Sequence, residues 1–401
     1  MPKLTPNRRH VITATAVGVA SLAMPAIAQT RTVKVGLLLT YSGPFAATGD
    51  LGDKGARLYE KLHGAPAPGI KLEVVRRDEG GANPDTAKRL VQELIIRDKV
   101  SLLAGIQWTP NAAAVAPLCT EAKMPLIISN AGGASITRMS PYIARVSFTV
   151  WQFGYPMGVW AAKQGYKRGY TMVADYVPGH DGEQGFIKGF KEGGGEVIGS
   201  VRTPLQNPDF VPFLLRVKDA KPDCLFVFSP GGPQATAVVK TFASLQLKEA
   251  GIQLMGSGDL VGEEELPNMG DAVIGTLSAH HYSAAAKRPE NEQFIAEWKK
   301  EYGPGSVPNS FSVGAWDAMA AVYHVVKNQP GGIDPEKTIA LLKGWTHASP
   351  RGPIMIDPVE RDIVQNIYIR RTEKVGSGYV STEFETVPML KDPWKASNPP
   401  T

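Results

Sequence analysis

The chain has 401 residues, of which 43% are apolar and 20% charged, so it can bury more than one hydrophobic core and is neither disordered nor fibrous. Its 43 basic and 38 acidic residues give a formal net charge of +5, but Lys3, Arg8 and Arg9 lie in an opening segment without acids. The remaining 40 basic and 38 acidic residues nearly balance, which excludes a basic surface for nucleic acid.

The first 28 residues are predicted to be a secretory signal peptide. Arg8 and Arg9 precede an uncharged, largely apolar run over 11–24, and a small-x-small cleavage site ends at Ala28. We expect cleavage after about Ala28. The paired arginines are compatible with twin-arginine export, although ordinary export signals contain them too. An uncleaved membrane anchor is the alternative, disfavoured because the run is short for a span and a cleavage site follows it.

From Thr32 onward, apolar strands alternate with helices. The first predicted strand, 33–39, ends at a turn signal over 41–44, and a helix is predicted over about 50–63. Asn83 and Pro84 are typical of a helix N-cap and first helical position, and an apolar face follows them at helical spacing. Further strands are predicted at 70–77, 102–105 and 125–129, a helix at about 110–123, and a last strand ending near 147.

The same alternation restarts after residue 150. A helix at about 151–164 precedes strands at 170–174, 196–202, 224–229, 253–257 and 274–280, with helices between them. Beyond Tyr282 come helices at about 289–302, 310–328 and 335–343 and strands at 354–357 and 363–370, and the proline-containing tail after Val387 is predicted to be loose. This order predicts an α/β fold of two doubly wound lobes with parallel sheets. Ligands of such sheets bind outside the carboxyl ends of the strands, here in a cleft between the lobes.

The sequence carries no catalytic or metal-binding motif. It has no Gly-x-Ser-x-Gly and no P-loop. Adjacent strand residues such as His280 and His281 are predicted to point to opposite faces and cannot chelate one metal, and the acidic run 263–265 is interpreted as a solvated helix start. Cys119 and Cys224 are interpreted as buried, inert thiols. We therefore predict no catalytic residue, cofactor or metal.

Candidate ligand residues in the first half follow predicted strands. Gln107, Trp108 and Thr109 come just before a helix, where a hydroxyl and free backbone amides bind a carboxylate well. Thr109 is also a natural N-cap. Ala131 and Gly133 belong to a glycine-rich loop after the next strand, where a ligand can approach backbone amides closely.

The second half contributes Tyr176, Gly231 and Asp259, each at a predicted strand end. Asp259 could hold a ligand ammonium or hydroxyl, or be an ordinary turn aspartate. Trp151 begins the first helix of the second lobe, and Tyr282 stands near a predicted lobe crossing. Such aromatic residues could enclose an apolar ligand or pack in the core.

The segment 33–49, VKVGLLLTYSGPFAATG, resembles the opening of the leucine/isoleucine/valine-type periplasmic binding proteins of ABC transporters. The similarity continues over nearly all of the chain after the signal segment, at Gly55, Asp78, 83–84, 103–105, 125–129 and 175–176. The resemblance implies a type I periplasmic binding protein fold, with two lobes joined by three crossings and a hinge that closes over the ligand.

The resemblance also implies domain limits and ligand positions. Lobe one would comprise residues 29–147 and 283–352, and lobe two residues 148–282 and 353–386, with 387–401 as the loose tail. The ligand positions that carry over are Thr48, Gln107, Trp108, Thr109, Ala131, Gly133, Tyr176, Gly231 and Asp259.

Two departures from the family pattern bear on the ligand. Amino-acid binders of this type usually offer a hydroxyl where this chain has Gly133, and a small residue where it has Trp108. With Trp151, Trp108 would suit a flat ligand. We rank an amino acid or related small carboxylate first, with an aromatic acid, an amide or urea as the alternative.

The predicted function is therefore binding without reaction, in the periplasm. The ligand carboxylate is expected to pair with Thr109 and the amides of 131–133, and lobe closure would create a surface for the permease of an ABC transporter. The permease and its ATPase would be separate chains, because this one lacks both a predicted span and a P-loop. A ligand sensor on the same fold is a rival class, and a secreted enzyme is disfavoured by the absence of a nucleophile and base motif.

Overall fold

The computed structural model describes residues 30–399. The predicted signal peptide and its cleavage site lie outside the described residues. Two sheets, each flanked by helices, form the described part. No helix in the range 30–399 is both long and apolar enough to cross a membrane.

The first sheet has five parallel strands in the order β2-β1-β3-β4-β5. Its strands are β1 (Arg31–Leu39), β2 (Ile70–Asp78), β3 (Leu102–Gly105), β4 (Leu126–Ile128) and β5 (Ile143–Arg145), and its connecting helices are α1 (Ala46–His63), α2 (Pro84–Ile96) and α3 (Thr109–Glu121). The predicted cap of α2 is confirmed, since the side chain of Asn83 accepts a hydrogen bond from the Thr86 amide at 3.1 Å.

The second sheet has a parallel half and an antiparallel half. Its parallel strands are β6 (Arg168–Ala174), β7 (Glu196–Thr203), β8 (Cys224–Phe228), β9 (Gln253–Ser257) and β10 (Leu277–His280). The helices α4 (Trp151–Lys163), α5 (Val177–Glu192), α6 (Val211–Ala220), α7 (Gly232–Ser244) and α8 (Leu266–Met269) accompany them. The strands β11 (Thr346–Ser349), β12 (Gly352–Ile356), β13 (Ile363–Val375) and β14 (Gly378–Leu390) are antiparallel. The connections between these last strands are too short for parallel pairing, so this sheet is mixed rather than wholly parallel.

Three further helices return to the first sheet. They are α9 (Pro289–Tyr302), α10 (Ser310–Lys327) and α11 (Pro335–Leu342). Buried residues of α10 share a hydrophobic core with β1 and α1. We call the first sheet with α1–α3 and α9–α11 lobe one, and the second sheet with α4–α8 lobe two. The chain passes between them three times, at 146–150, 281–288 and 343–345. The strand β11, which the predicted limits place in lobe one, pairs within the second sheet.

The predicted loose tail is wrong. The strand β14 pairs along β13 as far as Leu390, and a short helix, α12 (Pro393–Ser397), follows it. Pro393 is the first residue of α12, and the side chain of Asp392 caps the helix by accepting a hydrogen bond from the Trp394 amide at 3.0 Å. Pro393 therefore starts a helix here instead of breaking order, as proline does at a first helical position.

Helices α4 and α5 pack against each other through glycines. A Cβ atom on Gly158 would lie 2.4 Å from the Phe186 carbonyl oxygen, and one on Gly189 would lie 2.2 Å from the Tyr155 carbonyl oxygen. Backbones this close leave no room for a side chain at either glycine. The two helices therefore pack with their backbones in direct contact.

Candidate functional site

A cavity lies between the two lobes. Both lobes and the first crossing contribute to its lining: Phe45, Thr48, Gln107, Trp108, Thr109, Asn130, Gly132 and Phe311 from lobe one, Phe148 and Val150 from the crossing, and Tyr176, Pro178, Phe228, Pro230 and Asp259 from lobe two. Six of these residues are aromatic. No lysine, arginine or histidine is present among the described lining residues, so an anionic ligand would depend on hydroxyls, amides and a helix terminus.

The structure brings six of the eleven predicted ligand residues to this cavity. They are Thr48, Gln107, Trp108, Thr109, Tyr176 and Asp259. The other five, Ala131, Gly133, Trp151, Gly231 and Tyr282, lie outside the lining.

Thr48 reaches the cavity because α1 begins earlier than predicted, at Ala46. The first turn of α1 lies directly against the chain after β1. A Cβ on Gly49 would be 1.7 Å from the Thr40 carbonyl oxygen, so close packing explains this glycine. The same approach places the Thr48 hydroxyl 3.4 Å from the Gln107 side-chain amide.

The loop after β3 is fixed by buried hydrogen bonds. The Gln107 backbone amide donates to a carboxylate oxygen of Glu79 at 2.8 Å, and the Trp108 indole Nε1 donates to Thr40 Oγ1 at 2.9 Å. Because the indole N–H is already used, Trp108 offers the ligand a ring surface rather than a donor. Its ring contacts that of Phe45, with centroids 4.9 Å apart in a T-shaped arrangement.

Glu79 is a structural carboxylate that the sequence did not reveal. It is fully buried and accepts hydrogen bonds from Gln107 and, at 2.9 Å, from the side chain of Asn111. Burial is the largest cause that raises its pKa, to about 7. Glu79 does not line the cavity, so it acts by holding the loop that does.

Thr109 is the first residue of α3, and the prediction that it is the N-cap is wrong. The N-cap is Trp108, which makes no side-chain capping bond. The Thr109 Oγ1 atom instead accepts a hydrogen bond from the Gly133 amide at 3.0 Å. The hydroxyl is thereby oriented at the N-terminus of α3 and keeps its own hydrogen for a ligand.

Ala131 and Gly133 do not line the cavity themselves but flank Gly132, which does. The buried Arg145 guanidinium donates from Nη1 to the carbonyl oxygens of both residues at 2.8 Å. A Cβ on Gly133 would lie 2.5 Å from Thr109 Cγ2, so the Thr109 side chain occupies the space that a hydroxyl residue would need at 133. This contact explains the departure from the family pattern in physical terms.

Asp259 supplies the acidic side chain of the cavity. It follows β9 in a short 3₁₀ turn, is 8% exposed, and accepts a hydrogen bond from Ser257 Oγ at 3.3 Å. Burial raises its pKa to about 7, and the nearby Glu264 adds to the shift. The backbone of Gly231 lies behind it, since a Cβ there would be 3.6 Å from the Asp259 carbonyl oxygen.

Trp151 and Tyr282 are packed away from the cavity. Trp151 is 5% exposed, and its indole Nε1 donates to Asp181 Oδ1 at 3.3 Å. Tyr282 is fully buried in a small core with Phe294 and Trp298. For these two residues, packing is the role that the geometry supports.

Two further interpretations from the sequence need correction, and the interpretation of the cysteines as buried is confirmed. The run 263–265 is not solvated, because Glu263 lies 3.7 Å from the buried Arg370 and burial raises its pKa to about 7. His280 and His281 do not diverge, because β10 ends at His280, and their ring centroids are 4.4 Å apart. Within residues 30–399 there is no cluster of three or more potential metal ligands. Both cysteines are buried and free, as predicted.

Sequence reasoning missed most of the aromatic lining. Phe45, Phe148, Phe228 and Phe311 all contact the cavity. Two of them carry a signal that could have been used, since Phe228 is the last residue of β8 and Phe45 comes directly before α1. The other two are brought in by the first crossing and by α10, which no local pattern indicates.

Two α/β lobes with three crossings and a cavity lined from both sides define a bilobal solute-binding protein of type I topology. The profile of the periplasmic binding protein family matches residues 32–377. The chain belongs to this family, whose members bind solutes and are not a class of enzymes.

Three similar proteins extend this assignment. A Leu/Ile/Val-binding protein homolog 6 from Brucella melitensis is 39% identical over 383 residues, which cover 95% of this chain and 98% of that protein. A solute-binding protein of an ABC transporter from Rhodopseudomonas palustris BisB5, solved with 3,4-dihydroxybenzoic acid, is 46% identical, with a TM-score of 0.87 and coverage of 91% and 99%. Another from R. palustris, solved with 4-hydroxybenzoate, is 41% identical, with a TM-score of 0.88 and coverage of 92% and 100%. The protein is thus an ABC-transporter solute-binding protein.

Proposed function

We propose that this protein captures a hydroxylated aromatic carboxylate in the cavity between its lobes and delivers it to the permease and ATPase subunits of an ABC transporter. The observation that carries the proposal is the composition of the cavity lining. Six aromatic side chains line the cavity, and no cationic side chain is present among the described lining residues. This chemistry favours the aromatic acid, the alternative in the sequence analysis, over an amino acid.

Aromatic side chains from opposite lobes can enclose a flat ligand. Phe45 and Trp108 contribute from lobe one, and Tyr176 and Phe228, with centroids 6.1 Å apart, contribute from lobe two. Burying a benzene ring between such surfaces releases water and adds ring contacts worth about 0.5–1.5 kcal/mol for each pair.

The polar groups of the cavity suit the two ends of a hydroxybenzoate. The N-terminus of α3 and the Thr109 hydroxyl can hold the carboxylate, as helix N-termini do for anions. Asp259 and the Tyr176 hydroxyl can pair with a phenolic hydroxyl. The two relatives with hydroxybenzoates in their structures support the same ligand class.

An amino acid is the second candidate, because Asp259 could pair with an ammonium group and the Brucella relative is named a Leu/Ile/Val-binding protein homolog. Burial weighs against it. Burial raises the pKa of Asp259 to about 7, so binding an ammonium would carry the cost of ionising this buried carboxyl, whereas a phenolic hydroxyl can pair with it in either protonation state.

Isothermal titration calorimetry with 4-hydroxybenzoate, 3,4-dihydroxybenzoate, benzoate and leucine tests the ligand class. We expect the hydroxybenzoates to bind with Kd near 1 µM or tighter, about −8 kcal/mol, and leucine at least 100-fold more weakly. Thr109→Val should weaken hydroxybenzoate binding at least tenfold, while Thr120→Val, on the exposed side of α3, should leave it unchanged. Tighter binding of leucine than of any hydroxybenzoate would refute the proposal.

The location of the protein is also part of the proposal. The basic and apolar opening segment with its site at Ala28 supports export to the periplasm, by the twin-arginine or the general route. Mass spectrometry of the protein from periplasmic extracts should find an N-terminus at about Gln29, and an intact N-terminus retained in membranes would contradict cleavage.

A further inference from the structure

A second and larger cavity lies in the same cleft beside the ligand cavity. Lobe one lines it with Pro44, Phe45, Gly80, Gly81, Ala82, Asn83 and Trp108, and lobe two with Leu205, Gln206, Asn207, Pro208, Phe210, Pro233, Gln234 and Ala237. We call it the outer cavity and the first one the inner cavity. The two linings have Phe45 and Trp108 in common and share no other residue that the structure describes. These two rings are therefore the wall between the cavities.

The two rings are held very differently. Trp108 is 6% exposed and tied to Thr40 by its indole hydrogen bond. Phe45 is half-buried, ends a turn that contains Gly43 at a φ of +77°, and precedes α1 without a side-chain capping bond. Phe45 is thus the part of the wall that a substitution can remove without breaking a hydrogen bond.

The ring of Phe45 also spans the cleft. A Cβ on Gly232, at the N-terminus of α7 in lobe two, would lie 3.7 Å from the Phe45 ring. The ring therefore faces the lobe two backbone across a gap of about one methyl group and narrows the passage from the inner cavity to the outer one. A ligand longer than a hydroxybenzoate would have to displace it.

The chemistry of the outer cavity suits an uncharged extension of an aromatic ligand. Its side chains are amides, such as Asn83 and Asn207, and apolar groups, such as Leu205 and Phe210. No charged side chain is present among the described lining residues. Gln234 already donates from its side chain to the Leu205 carbonyl oxygen at 2.8 Å, which orders this side of the cavity.

We propose that Phe45 determines ligand length: its ring restricts the inner cavity to acids no longer than a hydroxybenzoate, and the outer cavity is a subsite for the distal part of longer aromatic acids when that ring is removed. This inference rests on the proposed function and extends it from ligand class to ligand size. It assigns a specificity role to a residue that contributes no hydrogen bond to the ligand.

The test compares 4-hydroxybenzoate with two longer acids, 3-phenylpropenoate and 4-phenylbenzoate, which extend the molecule at opposite ends. By calorimetry, the native protein should bind each longer acid at least 100-fold more weakly than 4-hydroxybenzoate. Phe45→Ala should weaken 4-hydroxybenzoate, because a ring contact is lost, yet strengthen at least one longer acid. The ratio of the two affinities should change at least tenfold.

Two controls distinguish a change in the ligand length that the cavity accepts from general damage to the binding site. Phe45→Leu keeps most of the bulk and should keep the native preference. Adding Leu205→Ala to Phe45→Ala should reverse part of the gain, because Leu205 lines the outer cavity and not the inner one. Equal weakening of short and long acids in Phe45→Ala, or native binding of the long acids as tight as that of 4-hydroxybenzoate, would overturn the inference. Failure of every aromatic acid to bind the native protein would instead overturn the proposed function.

Discussion

Asp259 is buried in the cavity lining, and this burial raises the pKa of its carboxyl group. Burial raises its pKa from 3.8 to about 7, so the folded chain retains a proton that the unfolded chain releases. The folded state binds more protons than the unfolded state between these two values, and the free energy of unfolding must then decrease as the pH rises. The decrease begins near the unfolded pKa and is complete above the folded one.

Asp259→Asn should remove this dependence. Its free energy of unfolding, relative to that of the native protein, should increase between pH 4 and pH 8 by up to about 4 kcal/mol, since each unit of pKa shift corresponds to about 1.4 kcal/mol. Urea unfolding at several pH values without ligand measures the difference. A difference that is constant across this range would show that Asp259 has an ordinary pKa in the folded chain.

Some residues of the candidate site could be predicted from the sequence and others could not. Trp108, Thr109 and Tyr176 could be predicted because parallel strands end at one edge and the residues after them face the cleft. Glu79 and Phe311 could not, since the role of each depends on contacts between segments far apart in the sequence. The sequence left the role of Trp151 open, because an aromatic residue at a lobe crossing can serve packing or binding until its neighbours are known.

The short helix α12 connects the end of the described chain, through buried side chains, to the loop around Gly132 that lines the cavity. Its Lys395 is 6% exposed and donates to Asp362 and, at 2.6 Å, to Thr137 Oγ1. Asp362 also pairs with the buried Arg145 through two hydrogen bonds. Because Arg145 holds the carbonyl oxygens on both sides of Gly132, α12 supports the cavity through this buried cluster.

Lys395→Met should destabilise the protein by about 2–4 kcal/mol, because it leaves a buried carboxylate with one cation fewer. It should also weaken ligand binding severalfold, since Asp362 would then draw Arg145 away from the loop. Lys391→Met is the matched control, because Lys391 is exposed and its ion pair with Asp357 should contribute less than about 1 kcal/mol. Urea unfolding and calorimetry measure the two effects, and equal results for the two variants would contradict the role of the cluster.

Elements were predictable where hydrophobic periodicity was strong. The bounds predicted for α9 are those observed, Pro289–Tyr302. The strand β14 was missed because it buries no apolar face: Ser381 is its one buried residue, and the strand forms by pairing along β13. Tertiary pairing of this kind leaves little trace in a single sequence.

The two lobes are closed on each other, and hydrogen bonds join them around the cavity. Asp181 on α5 of lobe two accepts a hydrogen bond from the Ala134 amide of lobe one at 2.9 Å. On another side, the side chain of Asn309 in lobe one donates to Glu264 of lobe two at 2.9 Å. Hydrogen bonds of this kind form only when the two lobes meet, so they stabilise the closed state relative to an open one. Because the ligand is enclosed in the closed state, they also increase ligand affinity.

Asp181→Ala should weaken ligand binding about tenfold although Asp181 does not line the cavity, because a hydrogen bond to a charged group contributes roughly 1.5–3 kcal/mol. The loss should appear mainly as faster ligand dissociation, measured by stopped-flow fluorescence. Glu192→Ala on the same helix is the control, since Glu192 contacts Lys188 and Tyr155 within lobe two. Unchanged dissociation in Asp181→Ala would show that this contact does not contribute to closure.

The glycine contacts between α4 and α5 also limit how the gene can change. Every missense mutation of a glycine codon introduces at least one side-chain carbon, and at Gly154, Gly158 or Gly189 that carbon would lie 2.5 Å or less from a backbone oxygen. Purifying selection should therefore act on these codons whatever solute a lineage comes to transport. Phe45 in the cavity lining is only half-buried, so inherited variation in ligand preference is expected to accumulate at positions of this kind.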